Sequence, residues 1–404
     1  MKYIIVLGDG MADKKIKSLG DKTPLEFANK PTIDALAPLA EIGMCKTVPD
    51  GFKPGSDVAN LSVLGYNPKN GYTGRSPLEA VSIGIDLKDT DVTMRCNLVT
   101  VSDEKNYADK RMLDYSAGEI SSAEAKELIS YLKQYFDNKK FTLYNGVSYR
   151  HCLVIDHGAT GNELTPPHDI TNKPVREHLP KGALQEELFG MMERSYELLK
   201  DHPVNKARIA AGKRPANSVW FWGEGTKPSL ENFEKKFGVR GGVISAVDLV
   251  KGIGILAGMQ IIDVDGATGN YDTNFQGKAE AALNALLRGL DLIYIHMEAP
   301  DECGHQGDIE HKVFSIEQID SIVVKTLVDG LRAANEPFRM LICPDHPTPI
   351  CIQTHSADPV PYMIYDSEHP VFSGADRYDE EHAQATGVYL SEGYLLMHKL
   401  LNKD

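Results

Sequence analysis

Residues 3–7 read Tyr-Ile-Ile-Val-Leu, an unbroken apolar run that ends at Gly8-Asp9-Gly10. A short apolar run bounded by turn residues predicts a strand buried on both faces, as in a parallel sheet. Three similar runs come late: 291–297 (DLIYIHM), 339–343 (RMLIC) and 360–365 (VPYMIY). Between the first two, Ile316, Ile319, Val323, Leu327 and Leu331 recur at steps of three and four, predicting a helix from about His311 to Asn335. Residues 276–288, rich in Ala and Leu, predict a second helix with Lys278 and Glu280 exposed. The last ~130 residues thus read as β-α-β-α-β, and the first strand is expected to join the same sheet.

From about Leu87 to Gly258 the pattern changes. Shorter strands are expected at 92–101, 151–156, 219–222 and 242–246, and helices at 122–136 and 182–200. Pro- and Gly-rich turns separate them, such as Thr165-Pro166-Pro167 and Lys213-Arg214-Pro215. The organisation predicted is a discontinuous outer domain, 1–87 with 259–404, and a smaller α/β domain inserted at 88–258.

A chain of 404 residues has room for two or three domains. Hydrophobic residues make up 42% and charged residues 25%, which excludes a disordered or collagen-like chain. The balance of 43 basic and 57 acidic residues, a formal charge of −14, argues against nucleic acid or a membrane surface as partner, since both are polyanions. None of the six cysteines forms C-x-x-C, and several sit in apolar runs, so buried reduced thiols are expected. The chain opens on a strand with no basic n-region or cleavage site, and no apolar run approaches the ~20 residues of a membrane span. A cytoplasmic location is therefore the expectation.

Metal-ligand residues follow the late strands. Asp301 and His305 are four apart and would share one face of a helical turn. Asp345-His346 is framed by Pro344, Pro347 and Pro349, a stiff loop presenting two ligands. His355 lies nine residues beyond His346. Each has a plain alternative: a capping Asp beside an unrelated His, an ordinary turn, a polar-loop His. With Asp9 they form a set of three Asp and three His at one expected sheet edge. That suits two divalent ions, and a mixed O/N set fits Mn²⁺, Zn²⁺ or Co²⁺ better than an all-oxygen cage. Two ions can clamp the attacking and leaving oxygens of phosphoryl transfer.

Ser56 follows Pro54-Gly55 and precedes an apolar stretch, the pattern of a helix N-cap. The bland reading is a capping serine. The functional one uses the same position: a hydroxyl beside backbone donors at the positive end of a helix, activated as a nucleophile.

Gly8-Asp9-Gly10-Met11, Ser56-Asp57-Val58-Ala59-Asn60-Leu61 with Leu64-Gly65-Tyr66, Asp301-x3-His305, Pro344-Asp345-His346-x-Thr348-Pro349 and His355-Ser-x-Asp-Pro-Val-Pro resemble the archaeal-type cofactor-independent phosphoglycerate mutases of the alkaline phosphatase superfamily. The resemblance extends through Tyr72-Thr-Gly-Arg75-Ser-Pro-Leu-Glu-Ala and Arg95-Cys-Asn97-Leu-Val-Thr, nearly end to end. It implies an α/β fold, an alkaline-phosphatase-like three-layer αβα domain with a mostly parallel sheet, carrying the inserted domain. It also implies two divalent ions, Mn²⁺ foremost with Mg²⁺, Zn²⁺ or Co²⁺ as alternatives. One would be held by Asp301, His305 and His355, the other by Asp9, Ser56, Asp345 and His346. Ser56 would carry the phosphoryl group between the 3- and 2-hydroxyls of glycerate, with no bisphosphoglycerate required.

A trianionic substrate on an acidic protein needs local cations; Arg75, Arg95, Arg150, His151 and Lys278 are the candidates, each also readable as an ordinary salt-bridge or surface residue. Two features depart from the mutase pattern. An expected arginine-rich stretch reads Lys110-Arg111-Met112-Leu113-Asp114-Tyr115, and an expected Arg-Gly near Asn217 is replaced by Trp220-Phe221-Trp222-Gly223-Glu224-Gly225. The latter resembles a bacterial branch proposed to phosphorylate homoserine, so a homoserine-kinase-like transferase and a metal-dependent phosphohydrolase stand as alternatives.

Overall fold

The computed structural model describes residues 1–402 and divides the chain into two units, Met1–Tyr72 with Ser229–Asp404, and Thr73–Pro228. The expected boundaries, 88 and 258, both fall too late. At the second crossing the reason is pairing: strand Gly241–Ile244 hydrogen-bonds in parallel to Leu292–Met297, and Gln260–Ile261 extends the same sheet. At the first, helix Ser76–Ser82 packs on strands Val92–Val101 and Ser218–Thr226 of the second unit.

The first unit is built on an eight-stranded sheet. Its middle is parallel: Lys2–Gly8 lies between Leu292–Met297 and Phe338–Cys343, with Val6 opposite Ile295 on one side and Ile342 on the other. Alternate residues serve two cores, as expected of a sheet covered on both faces. Ile4, Val6, Ile293, Ile295, Met340 and Ile342 pack beneath helices Phe275–Leu287 and Ile309–Ala333. On the other face lie helices Ser56–Val63, Asp248–Leu256 and Leu395–Leu401. This is the three-layer αβα arrangement with a mostly parallel sheet that the resemblance implies. Strand Val360–Asp366 is the exception to a simple β-α-β-α-β run. The segment that joins it to Phe338–Cys343 forms no helix to return the chain across the sheet, and it pairs antiparallel. The five residues picked out by periodicity, Ile316 to Leu331, are all fully buried, although the helix carries a π-helical segment at Ile319–Val324.

The second unit holds a five-stranded antiparallel sheet centred on Val92–Val101, which pairs with Arg150–Ile155, Ser218–Thr226 and Met112–Asp114. Helices Ser122–Phe136 and Gln185–Leu199 cover one face, burying Leu128, Leu132, Leu188 and Met192. Five cysteines are buried, but Cys351 is exposed in the loop before Val360 and so departs from the expectation of buried thiols; all six are free. Among the described residues no helix is long and apolar enough to cross a membrane.

Candidate functional site

The parallel strands of the first unit run the same way, so their carboxyl ends bring Asp9, the Ala299–Gln306 helix and the Asp345-His346 loop to one edge, where α/β sheets collect ligands. Asp9 is 2% exposed, Asp301 5% and Asp345 0%, and His346 is wholly buried among them. Ligand atoms of Asp9, Asp345 and His346 lie within 4.8 Å of one another, and so do those of Asp301, His346 and His355. His346 is common to both groups. Its Nε2 is 3.3 Å from Asp345 Oδ2 and 3.6 Å from Asp9 Oδ1. The i, i+4 spacing of Asp301 and His305 works as expected: both project from one helix face, with Nε2 3.3 Å from Oδ2. His305 Nε2 and His355 Nε2 approach to 2.9 Å, and His355 Nε2 is 3.5 Å from Asp301 Oδ1.

Three carboxylates are thus buried side by side. Burial, then Asp345 and Asp301, push the Asp9 carboxyl well above its ordinary range. Its Oδ1 has no hydrogen-bond partner. A buried acceptor left unpaired in a ring of acidic and imidazole groups is costly unless a cation meets it. Oxygen and imidazole donors in this mixture suit divalent transition-type ions, so the residues present fit a metal site.

Ser56 sits at the rim. The capping position is taken by Gly55, and no side chain caps the Ser56–Val63 helix. The serine is instead the first residue of the helix, with Oγ 3.2 Å from His346 Nε2. The capping reading of Ser56 is therefore wrong. One turn on, Asn60 Nδ2 donates to Ser56 O at 2.8 Å and to Asp345 Oδ2 at 3.0 Å, while its Oδ1 accepts from Tyr294 Oη. Thr348 Oγ1 donates to Asp301 Oδ1, and Lys312 Nζ ties the Thr348 carbonyl (2.8 Å) to Asp13 (2.6 Å). His296 Nε2 lies 2.9 Å from Asp9 Oδ2, and burial pushes this imidazole down to about 4. Sequence reading assigned no role to Asn60, Tyr294, Thr348 or His296. Asn60 was detectable as the residue four beyond Ser56, and Thr348 as the polar residue inside the proline-framed loop. His296 carried no such signal inside an apolar strand.

Gly10 shows how tightly the edge is packed. It has φ +61°, and a Cβ there would lie 2.6 Å from both Asp301 Cα and Thr348 Oγ1. Only glycine serves.

Lys278 departs from expectation. It is fully buried, not exposed; Nζ donates to His296 O at 3.1 Å, and burial pushes it down to about 8. Glu280 is exposed as expected. The helix turns its Lys278 face to the sheet, so the long side chain reaches a strand carbonyl rather than water.

The remaining candidates belong to the second unit. Arg75 Nε bonds Glu79 Oε1 at 2.7 Å, and Arg95 Nε lies 2.9 Å from Glu79 Oε2. Burial raises the Glu79 carboxyl, but Arg95 and Arg75 outweigh it and hold it below its ordinary range. Arg95 stacks on Trp222, with Cζ 3.9 Å from the ring centroid, and Trp222 Nε1 donates to Asn97 Oδ1 at 2.9 Å. Arg150 is exposed, and its charge acts on both Glu79 and Arg95. Three guanidiniums around one carboxylate leave surplus positive charge. His151 is not brought to them. It pairs opposite Cys96, so strand alternation puts it on the other sheet face from Arg95. There it is buried and pushed down to about 3, with Nδ1 accepting from Gly146 N–H.

Comparison with known proteins agrees with this architecture. Residues 37–205 match the family model described as 2,3-bisphosphoglycerate-independent phosphoglycerate mutase. The chain is 47% identical over 403 residues to a Geobacter sulfurreducens protein named as a probable 2,3-bisphosphoglycerate-independent phosphoglycerate mutase, covering 100% of both chains. The chain belongs to the 2,3-bisphosphoglycerate-independent phosphoglycerate mutase family. A family member from Methanothrix thermoacetophila is 48% identical over 401 residues, 99% of this chain and 100% of that one. Among solved structures, the PH0037 protein of Pyrococcus horikoshii superposes with a TM-score of 0.82 at 28% identity, over 100% of this chain and 98% of that one. The two named relatives align over 99% or more of this chain, so both units are part of the family's architecture.

Proposed function

We propose that this mutase-family chain interconverts 3-phosphoglycerate and 2-phosphoglycerate through phosphorylated Ser56, in the cytoplasm, as a step of glycolysis and gluconeogenesis. The observation that carries the reading is Ser56 Oγ, 3.2 Å from His346 Nε2 and released from any capping duty, at the rim of buried Asp and His ligands. Asp301, His305 and His355 would hold one divalent ion, and Asp9, Ser56, Asp345 and His346 the other, with Mn²⁺ the first choice. Bound there, the ions supply charge neutralisation and a lowered hydroxyl pKa.

The chain's own residues do the rest. The Ser56 hydroxyl gives up its proton as Oγ attacks phosphorus in line, and the bond to the 3-oxygen breaks, that oxygen taking up a proton. Glycerate turns, its 2-hydroxyl gives up a proton as its oxygen attacks the phosphoserine, and the Oγ–P bond breaks, Oγ regaining a proton to restore the serine. The phosphoryl group stays on the protein between the two steps, which is why no bisphosphoglycerate is needed. The helix beginning at Ser56 directs its positive end toward the transferring group. Asn60 fixes the Ser56 carbonyl and Asp345 together. Arg75, Arg95 and Arg150 offer the guanidiniums that a carboxylate and a phosphate require, oriented by Glu79 and Trp222.

The test is purified protein with Mn²⁺, given 3-phosphoglycerate alone, homoserine with a phosphoryl donor, or a simple phosphate monoester. Formation of 2-phosphoglycerate without added bisphosphoglycerate is the expected result. Turnover of either other substrate with none of 3-phosphoglycerate overturns the proposal.

A further inference from the structure

Asp9 has to present one oxygen to the centre of the cluster, yet a short carboxylate can rotate either oxygen inward. In this structure the orientation is set from behind. His296 stands in the Leu292–Met297 strand, in register with Leu7 and fully buried. Its Nε2 is 2.9 Å from Asp9 Oδ2, and its Nδ1 is 3.3 Å from the Ser245 hydroxyl. Ser245 follows strand Gly241–Ile244, is 4% exposed, and is itself fixed by accepting the Val247 N–H at 2.9 Å. A carboxylate that holds a cation is ionised and only accepts, so beside a loaded Asp9 His296 donates from Nε2; Nδ1 is then an acceptor, matched by the Ser245 O–H. With Oδ2 so engaged, Asp9 Oδ1 is left without a partner, on the side of His346 Nε2.

We infer that His296 is a positioning residue: Ser245 holds its imidazole in the Nε2–H tautomer, and that N–H pins Asp9 Oδ2 so that Oδ1 points at a divalent cation shared with Asp345 and His346. This rests on reading the Asp-His cluster as a metal site. Groups that orient a ligand from outside the coordination sphere are worth roughly 10–100-fold in metal affinity. His296 acts through Asp9 and touches no reacting atom. Lys278, donating to the His296 carbonyl, fixes the same strand position.

The experiment is Mn²⁺ titration calorimetry on chelator-stripped full-length protein, with the melting temperature of the metal-free form measured alongside. His296→Leu is expected to weaken Mn²⁺ binding about 10–100-fold at one site. His296→Gln, which keeps a donor, restores most of it, and Ser245→Ala shows a smaller loss in the same direction. Wild-type affinity in His296→Leu overturns the inference, as does a loss that His296→Gln fails to repair. If His296→Leu does not fold, the imidazole nitrogen resonances of the wild type decide: a protonated Nδ1 with a bare Nε2 overturns it. A wild-type protein that binds no Mn²⁺ brings down the metal reading itself, a result distinct from both.

Discussion

Ser56 Oγ lies 3.2 Å from His346 Nε2, and His346 belongs to both groups of converging ligand atoms. The proposed nucleophile therefore lies against the residue that both groups share.

Replacing Ser56 by alanine removes that hydroxyl while leaving the helix start intact, since Gly55 holds the capping position and no side-chain cap is lost. Turnover of 3-phosphoglycerate should fall on the order of 10⁴-fold or more, as nucleophile deletions do. Metal content by elemental analysis should stay near wild type, because the six other proposed ligands remain. Retained turnover removes the phosphoserine route.

Stripping metal should destabilise the fold if, as proposed, the native cluster binds the ions and the unfolded chain does not. A ligand present at 100 times its Kd stabilises by about 2.7 kcal/mol, so chelation should lower Tm by several degrees and Mn²⁺ should restore it. Asp345→Asn and His305→Ala should each lower metal occupancy. Unchanged occupancy in both removes these residues from the ligand set.

Gly10 separates Asp9 from the Asp301 helix, and a Cβ at φ +61° would lie 2.6 Å from backbone. Gly10→Ala should cost roughly 1–3 kcal/mol of stability. It should also weaken metal binding, because the atoms it strikes belong to Asp301 and to Thr348, which holds Asp301. A Tm and Mn²⁺ affinity both equal to wild type would contradict this close packing around Gly10.

The strands, the long helix and the Asp and His residues that converge at the sheet edge were legible because each depends on local pattern: an apolar run, a three-four period, an Asp and a His one turn apart. What escaped depends on distant chain segments meeting. His296 reads as one polar residue in an apolar strand, and its meaning comes from Asp9, which lies 287 residues away. Lys278 reads as a surface lysine in a helix until the helix is docked on the sheet. His151 and Arg150 are neighbours in sequence yet fall on opposite faces of a strand, so adjacency misled. The domain boundaries slipped because helix Ser76–Ser82 and strand Gly241–Ile244 declare their allegiance only through packing.

Glu79 offers a prediction that involves no metal. It joins Arg75 and Arg95, and these guanidiniums hold its carboxyl below the ordinary range despite the opposing effect of burial. A carboxyl lowered in the folded state stabilises fully above its unfolded pKa of about 4.3, and that contribution is lost as pH falls through the folded value. Stability should therefore decline below about pH 4.5 with a share due to Glu79, since the unfolded chain there binds the extra proton. Glu79→Gln should flatten that acid limb in urea titrations at stepped pH. It also frees the two guanidiniums from their shared anchor, so KM for 3-phosphoglycerate should rise more than kcat falls. Arg95→Lys should raise KM as well, because an ammonium cannot combine stacking on Trp222 with a planar grip on an anion. An acid limb and a KM both unchanged in Glu79→Gln would show that this carboxylate neither draws stability from the arginines nor arranges them for substrate.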